Sequence, residues 1–209
     1  MDNSLFARYV VSPDSPLDNN ESDLVMAAEK GSVEAFNQLV LGHQDRIFNL
    51  ALRILGDEDT AEDITQNTFM NAYLNLSRFR HGSFHGWLYR IATNACYDEC
   101  RLQKRRPVLS IENKNLAEER IIPLEQLSTA CALPEIEVER HEQELVIQSA
   151  LNRLNPDQRM VIVLVDQQDF DYKEVAQILG IPTGTMKSRL ARGRLRLHQI
   201  LSKTNIDIY

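Results

Sequence analysis

The chain has 209 residues, 43% of them hydrophobic and 25% charged, a balance that supports a folded core and excludes disorder throughout. No apolar run approaches the roughly 20 residues that a membrane-spanning helix needs, and the opening residues Met1 to Val11 lack the basic start and apolar stretch of a signal peptide. Three scattered cysteines make no disulfide framework, so the expected setting is a reducing cytoplasm with no membrane insertion.

The formal net charge of −7 argues against nucleic acid only until the chain is divided. Residues 1–77 carry 4 basic and 13 acidic groups and residues 107–171 carry 5 and 13, whereas residues 78–106 and 172–209 each carry 7 basic and 2 acidic groups. Two basic blocks alternate with two acidic ones. Phosphate binding follows local rather than total charge, so nucleic-acid binding and unevenly charged solvent faces both fit at this point.

Residues 1–22, with Pro13, Pro16 and a polar Asp18–Glu21 stretch, read as a flexible tail. Ser22-Asp23 is a cap pattern for a helix from Leu24 to Lys30, stopped by Gly31. Apolar spacing then predicts a helix from Val33 to about Leu41, another from Asp45 to Leu55 stopped by Gly56, and a third over Asp57 to Leu76. A longer helix follows from Phe84 to Arg105. Residues 107–134, mixed, acidic and punctuated by Pro107, Pro123 and Pro134, form a linker too long for a loop inside one compact domain. Helices over Glu135–Leu154, Pro156–Val165, Tyr172–Leu179 and Thr183 to about Leu201 complete the chain, with 204–209 as a tail. No segment alternates as a strand would. The expected fold class is all-α: two small helical domains, 23–106 and 135–203, joined by a flexible acidic linker.

The second domain contains a helix-turn-helix pattern. Asp171 and Glu174 make a capping box, and Gly180 suits a left-handed exit. Ile181-Pro182 then leads into a second, basic helix. On that helix Met186, Leu190, Gly193 and Leu197 share one narrow stripe, the core face. Ser188, Ala191 and Arg192 lie opposite, flanked by Lys187 and Arg189, as a major-groove reader requires. A plain helical hairpin with a basic solvent face is the alternative; the agreement of cap, turn, stripe and charge favours DNA.

Two faces of the first domain also carry information. On the helix from Asp59 to Leu76, Ile64, Thr68, Phe69, Ala72, Tyr73 and Leu76 gather on the buried side. Asp59, Asp63, Gln66, Asn67, Met70 and Leu74 gather on the other. Carboxylates mixed with exposed apolar side chains describe a protein-docking surface, although scattered exposed apolar residues are common. On the helix from Phe84, Leu88, Ile91, Ala92, Ala95 and Leu102 form the expected buried side, opposite Trp87, Arg90, Asn94, Tyr97 and Arg101. The preceding loop, Phe79 to Gly86, is Gly-flanked and holds two aromatics among basic neighbours. Rings interleaved with arginines suit single-stranded nucleic acid, where each stacked base is worth about 1–3 kcal/mol. A lone Trp is more often core, but its place among Arg90, Asn94 and Arg101 favours a functional role.

The runs Ala61–Phe69 (AEDITQNTF), Phe84–Asn94 (FHGWLYRIATN) and Tyr172–Arg192 resemble bacterial sigma factors of RNA polymerase, specifically the extracytoplasmic-function (ECF) group of the sigma-70 type. The resemblance covers roughly 23–106 (region 2) and 135–201 (region 4). It implies that region 2 docks on the clamp helices of the largest subunit of core RNA polymerase and melts the −10 element of promoter DNA. Region 4 would read the −35 element and contact the flap of the second-largest subunit. Asp63 and Gln66, with Asp59, Asn67 and Met70 beside them, would meet the polymerase. Asn67 stands where the family usually has Glu, which implies a weaker or shifted contact. Arg80, His81, Ser83 and Phe84 would hold a flipped −10 base, with Trp87, Arg90, Asn94, Asp98 and Arg101 along the melted strand. Thr185, Lys187, Ser188, Arg189 and Arg192 would meet −35 bases and phosphates. The acidic linker would pass near the active-site cleft and RNA exit path, and an anti-sigma factor commonly restrains such proteins.

A stand-alone helix-turn-helix transcriptional regulator is the other reading, but it has no use for the aromatic, basic helix at 84–105. The five histidines show no metal-ligand spacing, and no phosphate-cradling Gly loop or nucleophile elbow is present. Neither enzymatic activity nor a cofactor is expected. Cys96 and Cys100, one helical turn apart, fit buried thiols better than a redox switch.

Overall fold

The computed structural model describes residues 21–80, 82–105, 135–167 and 170–203, and among these residues there is helix and no strand. The order is α1 (Glu21–Glu29), α2 (Val33–Leu55), α3 (Glu58–Asn75), a 3-10 turn (Leu76–Arg78), α4 (Phe84–Arg105), α5 (Glu135–Asn152), α6 (Pro156–Gln167), α7 (Tyr172–Leu179) and α8 (Thr183–Leu201). The all-α expectation and its two helical units hold. The predicted linker, residues 1–20 of the predicted N-terminal tail and the C-terminal tail lie outside the described residues, whereas Glu21 and Ser22, also assigned to that tail, begin α1.

The largest departure from the expected elements is α2. Apolar spacing predicts two helices, ending at about Leu41 and restarting at Asp45, yet the helix runs unbroken from Val33 through Gly42 to Leu55. A mid-helix glycine costs only about 0.5–1 kcal/mol, and Leu39, His43, Ile47, Leu50, Ala51 and Ile54 form one buried stripe across it. Packing overrides the local preference. Ser32 caps this helix, its Oγ accepting from the Ala35 N–H at 3.2 Å. Helix α1 starts earlier than expected, so Ser22 and Asp23 lie in its first turn rather than before it. Asp57 caps α3 by accepting from the Thr60 N–H at 2.9 Å, and Ser83 Oγ accepts from the Gly86 N–H at 3.0 Å as α4 begins.

The first unit closes around His43, a buried residue that the apolar pattern does not anticipate. Its Nε2 lies 2.7 Å from Glu21 Oε1, which ties α1 to the middle of α2, and its ring packs on Phe84 and His85. The hydrogen bond with His43 holds the Glu21 carboxyl below its ordinary value of 4.5, against the opposing pull of burial. A carboxylate depressed in the folded state contributes stability above its unfolded value and loses it as pH falls through the folded value. Acid denaturation below about pH 4.5 should therefore be less steep in Glu21→Gln than in the parent. Thermal melts from pH 7 to pH 3 test this; equal slopes would remove Glu21 from the acid response.

In the second unit α6 is the central element, with Met160 to Leu164 fully buried. The predicted capping box of α7 is present in full, and Gly180 takes the left-handed conformation at φ 62. Helix α8 lies so close to α6 that a Cβ on Gly193 would sit 2.9 Å from Ile162 Cδ1 and 3.2 Å from Gln158 Cβ. Any side chain there would force Ile162 and Gln158 to shift. The two units also touch: α4 packs on α7, and α2 on α5 and α6, so their apolar interiors form one continuous cluster.

Candidate functional site

Helix α8 presents the basic surface at its N-terminal half. Met186, Leu190, Gly193 and Leu197 are buried as the stripe requires, which turns Thr185, Lys187, Ser188 and Arg192 outward into solvent. Arg192 folds back along its own helix, with Nε donating to Ser188 O at 3.1 Å and Nη2 to Ser188 Oγ at 3.2 Å. Lys187 Nζ lies 5.9 Å from the centre of the Tyr172 ring. These are local contacts that an incoming phosphate or base edge can displace. Arg189 differs: it is three-quarters covered and paired with Asp157 at 3.2 Å. Arg194 bonds Asp166 of α6 through both Nε and Nη2, which removes one α8 arginine from the basic surface and fixes the helix in place. Leu195 remains exposed, and nothing in the structure explains it.

The outer face of α4 carries Arg90, Asn94, Asp98 and Arg101, all exposed, with Arg101 Nη1 3.4 Å from Asp98 Oδ1. Arg80 and Ser83 are exposed just before the helix, and His81 lies outside the described residues. Three expectations require correction. Phe84 is only 2% exposed, so its ring is core and does not stand free to stack a base. Trp87 is half-buried, packed at 5.2 Å from Phe79 and 5.8 Å from Phe84 between ring centres, because an indole beside two phenyl rings gains more from covering them than from facing water. Leu102, assigned to the buried side, is exposed at 42%, since α4 at that point has run past the helices it packs against. Tyr97 is partly covered as well. Its hydroxyl donates to Asp157 Oδ1 at 3.1 Å, and burial, followed by the Asp157 charge, pushes its pKa up to about 12, so it stays a donor.

On α3 the mixed face is solvent-exposed throughout: Asp59, Asp63, Gln66 and Asn67 flank Met70 at 62% and Leu74 at 69% exposure. Tyr73, placed on the buried side by periodicity, is also exposed and meets the core through an edge contact with Phe36. It adds a third large apolar side chain to this surface. Cys96 and Cys100 are both buried, and desolvation pushes both thiols up. A thiol held protonated is a poor nucleophile. Among the described residues no cluster of His, Cys, Asp or Glu could hold a metal ion.

Sequence reasoning missed the residues that join the two units. Arg159 and Gln148 lie on ordinary amphipathic helices, and only the position of Arg159 inside the apolar α6 run hints at a special role.

Residues 39–106 match the family described as Sigma-70 region 2, and residues 144–197 match Sigma-70, region 4. The ECF RNA polymerase sigma factor SigW of Bacillus subtilis is 35% identical over 178 residues, covering 85% of this chain and 94% of that protein. The ECF RNA polymerase sigma factor SigE of Mycolicibacterium smegmatis is 34% identical over 177 residues, 84% of this chain and 65% of that protein. Among solved structures, the sigma factor RpoE of Bartonella quintana, co-crystallised with the anti-sigma factor NepR, superposes with a TM-score of 0.59 at 28% identity, over 81% of this chain and 98% of that one. The two basic surfaces and the mixed α3 face thus sit on the two regions of a known architecture, and the chain belongs to the extracytoplasmic-function group of sigma-70-type RNA polymerase sigma factors.

Proposed function

We propose that the chain is an alternative sigma factor that binds core RNA polymerase through the exposed face of α3, holds the opened −10 strand along α4 and reads the −35 duplex with α8. The observation that carries this reading is the coexistence, on one chain, of two separate basic surfaces and one acidic-apolar surface, each exposed and each of different chemistry. Polymerase contacts would run from Asp59, Asp63, Gln66, Asn67 and Met70 to the clamp helices of the largest subunit, and from the second unit to the flap of the second-largest. Catalysis belongs to the polymerase, not to this chain. An anti-sigma factor is a natural partner, as for the Bartonella relative. The setting is the cytoplasm; no helix among the described residues is long and apolar enough to cross a membrane.

The test is run-off transcription by core polymerase over a promoter library with and without the chain. Specific transcripts that depend on it are expected; none from any promoter would end the reading. A footprint on the selected promoter without polymerase would instead favour a stand-alone regulator. On that promoter, Arg192→Ala should weaken binding to the −35 duplex. Loss of a bidentate base contact costs about 1–3 kcal/mol, whereas loss of a phosphate contact lowers the salt slope by about 1. Because Arg192 is exposed and bonded only within its own turn, thermal stability should be unchanged. Anisotropy titrations at several salt concentrations check both; unaltered affinity at every salt would remove Arg192 from the interface.

A further inference from the structure

One residue of the buried α2 stripe is polar, and packing alone does not explain it. Leu39, Ile47, Leu50, Ala51 and Ile54 surround the sequence position of His43, which is 4% exposed. A leucine would fill that position without bringing a polar atom into the core. His43 brings two. Its Nε2 lies 2.7 Å from Glu21 Oε1, and because a carboxylate only accepts, Nε2 is the nitrogen that donates. Nδ1 is buried and has no hydrogen-bond partner among the described residues. Native structures keep few buried polar atoms unpaired, so the ring does more than fill space. Holding α1 does not require it either, since Leu24, Val25 and Ala28 already bury the inner face of that helix.

The neighbours of the ring show what it supports. His43 packs on Phe84 at 5.7 Å and on His85 at 5.6 Å between ring centres, and these are the first two residues of α4. Phe84 then meets Phe79 at 5.9 Å, edge to face, and Trp87 at 5.8 Å. Phe79 and Phe84 stand on either side of the exposed Arg80 and Ser83, so their contact fixes the separation of the two ends of that stretch. Ser83 in turn starts the helix. Its Oγ accepts from the Gly86 N–H, and its carbonyl accepts from the Trp87 N–H, each at 3.0 Å. One line of contacts therefore runs from Glu21 through His43 and Phe84 to the polar groups at the start of α4.

We propose that His43, its ring held by Glu21, is a positioning residue for the strand-holding end of α4: it seats Phe84 and thereby fixes Arg80, Ser83 and Arg90 in the arrangement that receives an opened −10 strand. The strand-holding part rests on the proposed sigma function; the seating of Phe84 does not. An imidazole turns about its outer side-chain bond in a broad, roughly two-fold well, so packing alone leaves the plane of the ring loosely set. The bond to Glu21 selects one plane, and Phe84 then packs on a fixed face at an interplanar angle of 53°. Groups that bind a ligand have to be held within roughly 0.5 Å of their working geometry. Leucine or phenylalanine at this position would occupy the same space but has no atom for Glu21 to hold.

Trp87 is the sole tryptophan of the chain and packs on Phe79 and Phe84, so its fluorescence reports on the seat directly. In the full-length protein, His43→Leu and Glu21→Ala should loosen the seat locally, making Trp87 roughly twice as easily quenched by acrylamide. Glu21→Gln should match the parent, because a carboxamide oxygen still accepts from Nε2. With core polymerase present, the first two variants should bind a single-stranded oligonucleotide of the selected promoter's −10 region roughly tenfold more weakly, the loss of about one contact. Glu21→Gln should bind it as the parent does. Affinities for core polymerase and for −35 duplex, made by other faces, should stay within about twofold of the parent. If His43→Leu loses helix content by circular dichroism, Glu21→Ala carries the test, since Glu21 is partly exposed. Parent-like quenching in Glu21→Ala, or quenching raised equally by Glu21→Gln, would overturn the seating. Raised quenching with undiminished strand affinity would overturn the role in strand holding. Strand, core and −35 affinities falling in step would make His43 a general prop of the fold and overturn the proposal. The expected Trp87 differences in a chain that, even as the parent, fails to bind the strand with core polymerase would leave the seating standing and sink the strand-holding reading of α4.

Discussion

Asp63→Arg combined with Gln66→Ala is expected to reduce affinity for core RNA polymerase by a factor of roughly 30 or more, about 2 kcal/mol, the loss typical of a hot-spot cluster. The reason lies in what surrounds these positions. Met70, Tyr73 and Leu74 are large apolar side chains left in water, and Asp63 and Gln66 stand beside them on the same exposed face of α3. Such a surface gains by being covered, and the polar groups at its edge fix the register of whatever covers it. Reversing one charge places a cation where the partner is built for a carboxylate. Both residues are exposed, so helix content and melting temperature should match the parent. Fluorescence titration of labelled chain with core polymerase, run beside thermal melts, decides the matter. Equal affinity for parent and variant would move the polymerase contact off this face.

The elements were legible in the sequence where local chemistry and periodicity agreed. The α7–α8 pair is the clearest case: a capping box at Asp171 and Glu174, a left-handed Gly180 and a four-residue buried stripe on α8 all appear as read. The reading failed where a local signal competed with packing. Apolar spacing suggested two helices with a break at about Leu41, yet the buried stripe carried α2 straight through. Helical spacing placed Trp87 on the solvent side and the family resemblance placed Phe84 at a flipped base, but three aromatic rings that can meet will cover one another, and Phe79, Phe84 and Trp87 do. Leu102 and Tyr73 erred in the other direction, since periodicity assigns a face but not whether a neighbouring helix extends far enough to cover it. The join between the two units was not legible at all. Its donors end on backbone carbonyls of Leu52, Arg53 and Ile54, and a carbonyl has no residue identity for a motif to record.

The burial of Phe84 and the partial burial of Trp87 sharpen the expectation for strand opening. With Phe84 in the core, the cluster of Phe79, Phe84 and Trp87 acts as a rigid prop beneath the start of α4 rather than as a set of free stacking rings. The exposed side keeps Arg90 and Asn94, one turn apart, followed by Asp98 and Arg101. An amide that can both donate and accept at a base edge, beside a cation that follows phosphate, suits a separated strand, whose base edges are open, better than a paired one. Asn94→Ala should therefore leave closed-complex formation nearly intact and lower the ratio of open to closed complexes. A loss comparable to one bidentate base contact, about 1–3 kcal/mol, corresponds to roughly 5- to 150-fold. Asn94 is exposed, so the fold should be unaffected. Permanganate reactivity of −10 thymines with core polymerase present, alongside gel-shift occupancy on the promoter selected from the library, separates the two steps. Undiminished reactivity in Asn94→Ala would place melting elsewhere. A template with a premelted bubble should rescue Asn94→Ala, because the unpairing cost of a few kcal/mol has already been met. The same template should not rescue Arg192→Ala, whose lost contact is to duplex DNA that the bubble does not supply. Equal rescue of both variants would mean that α4 and α8 do not divide the work between an opened strand and an intact one.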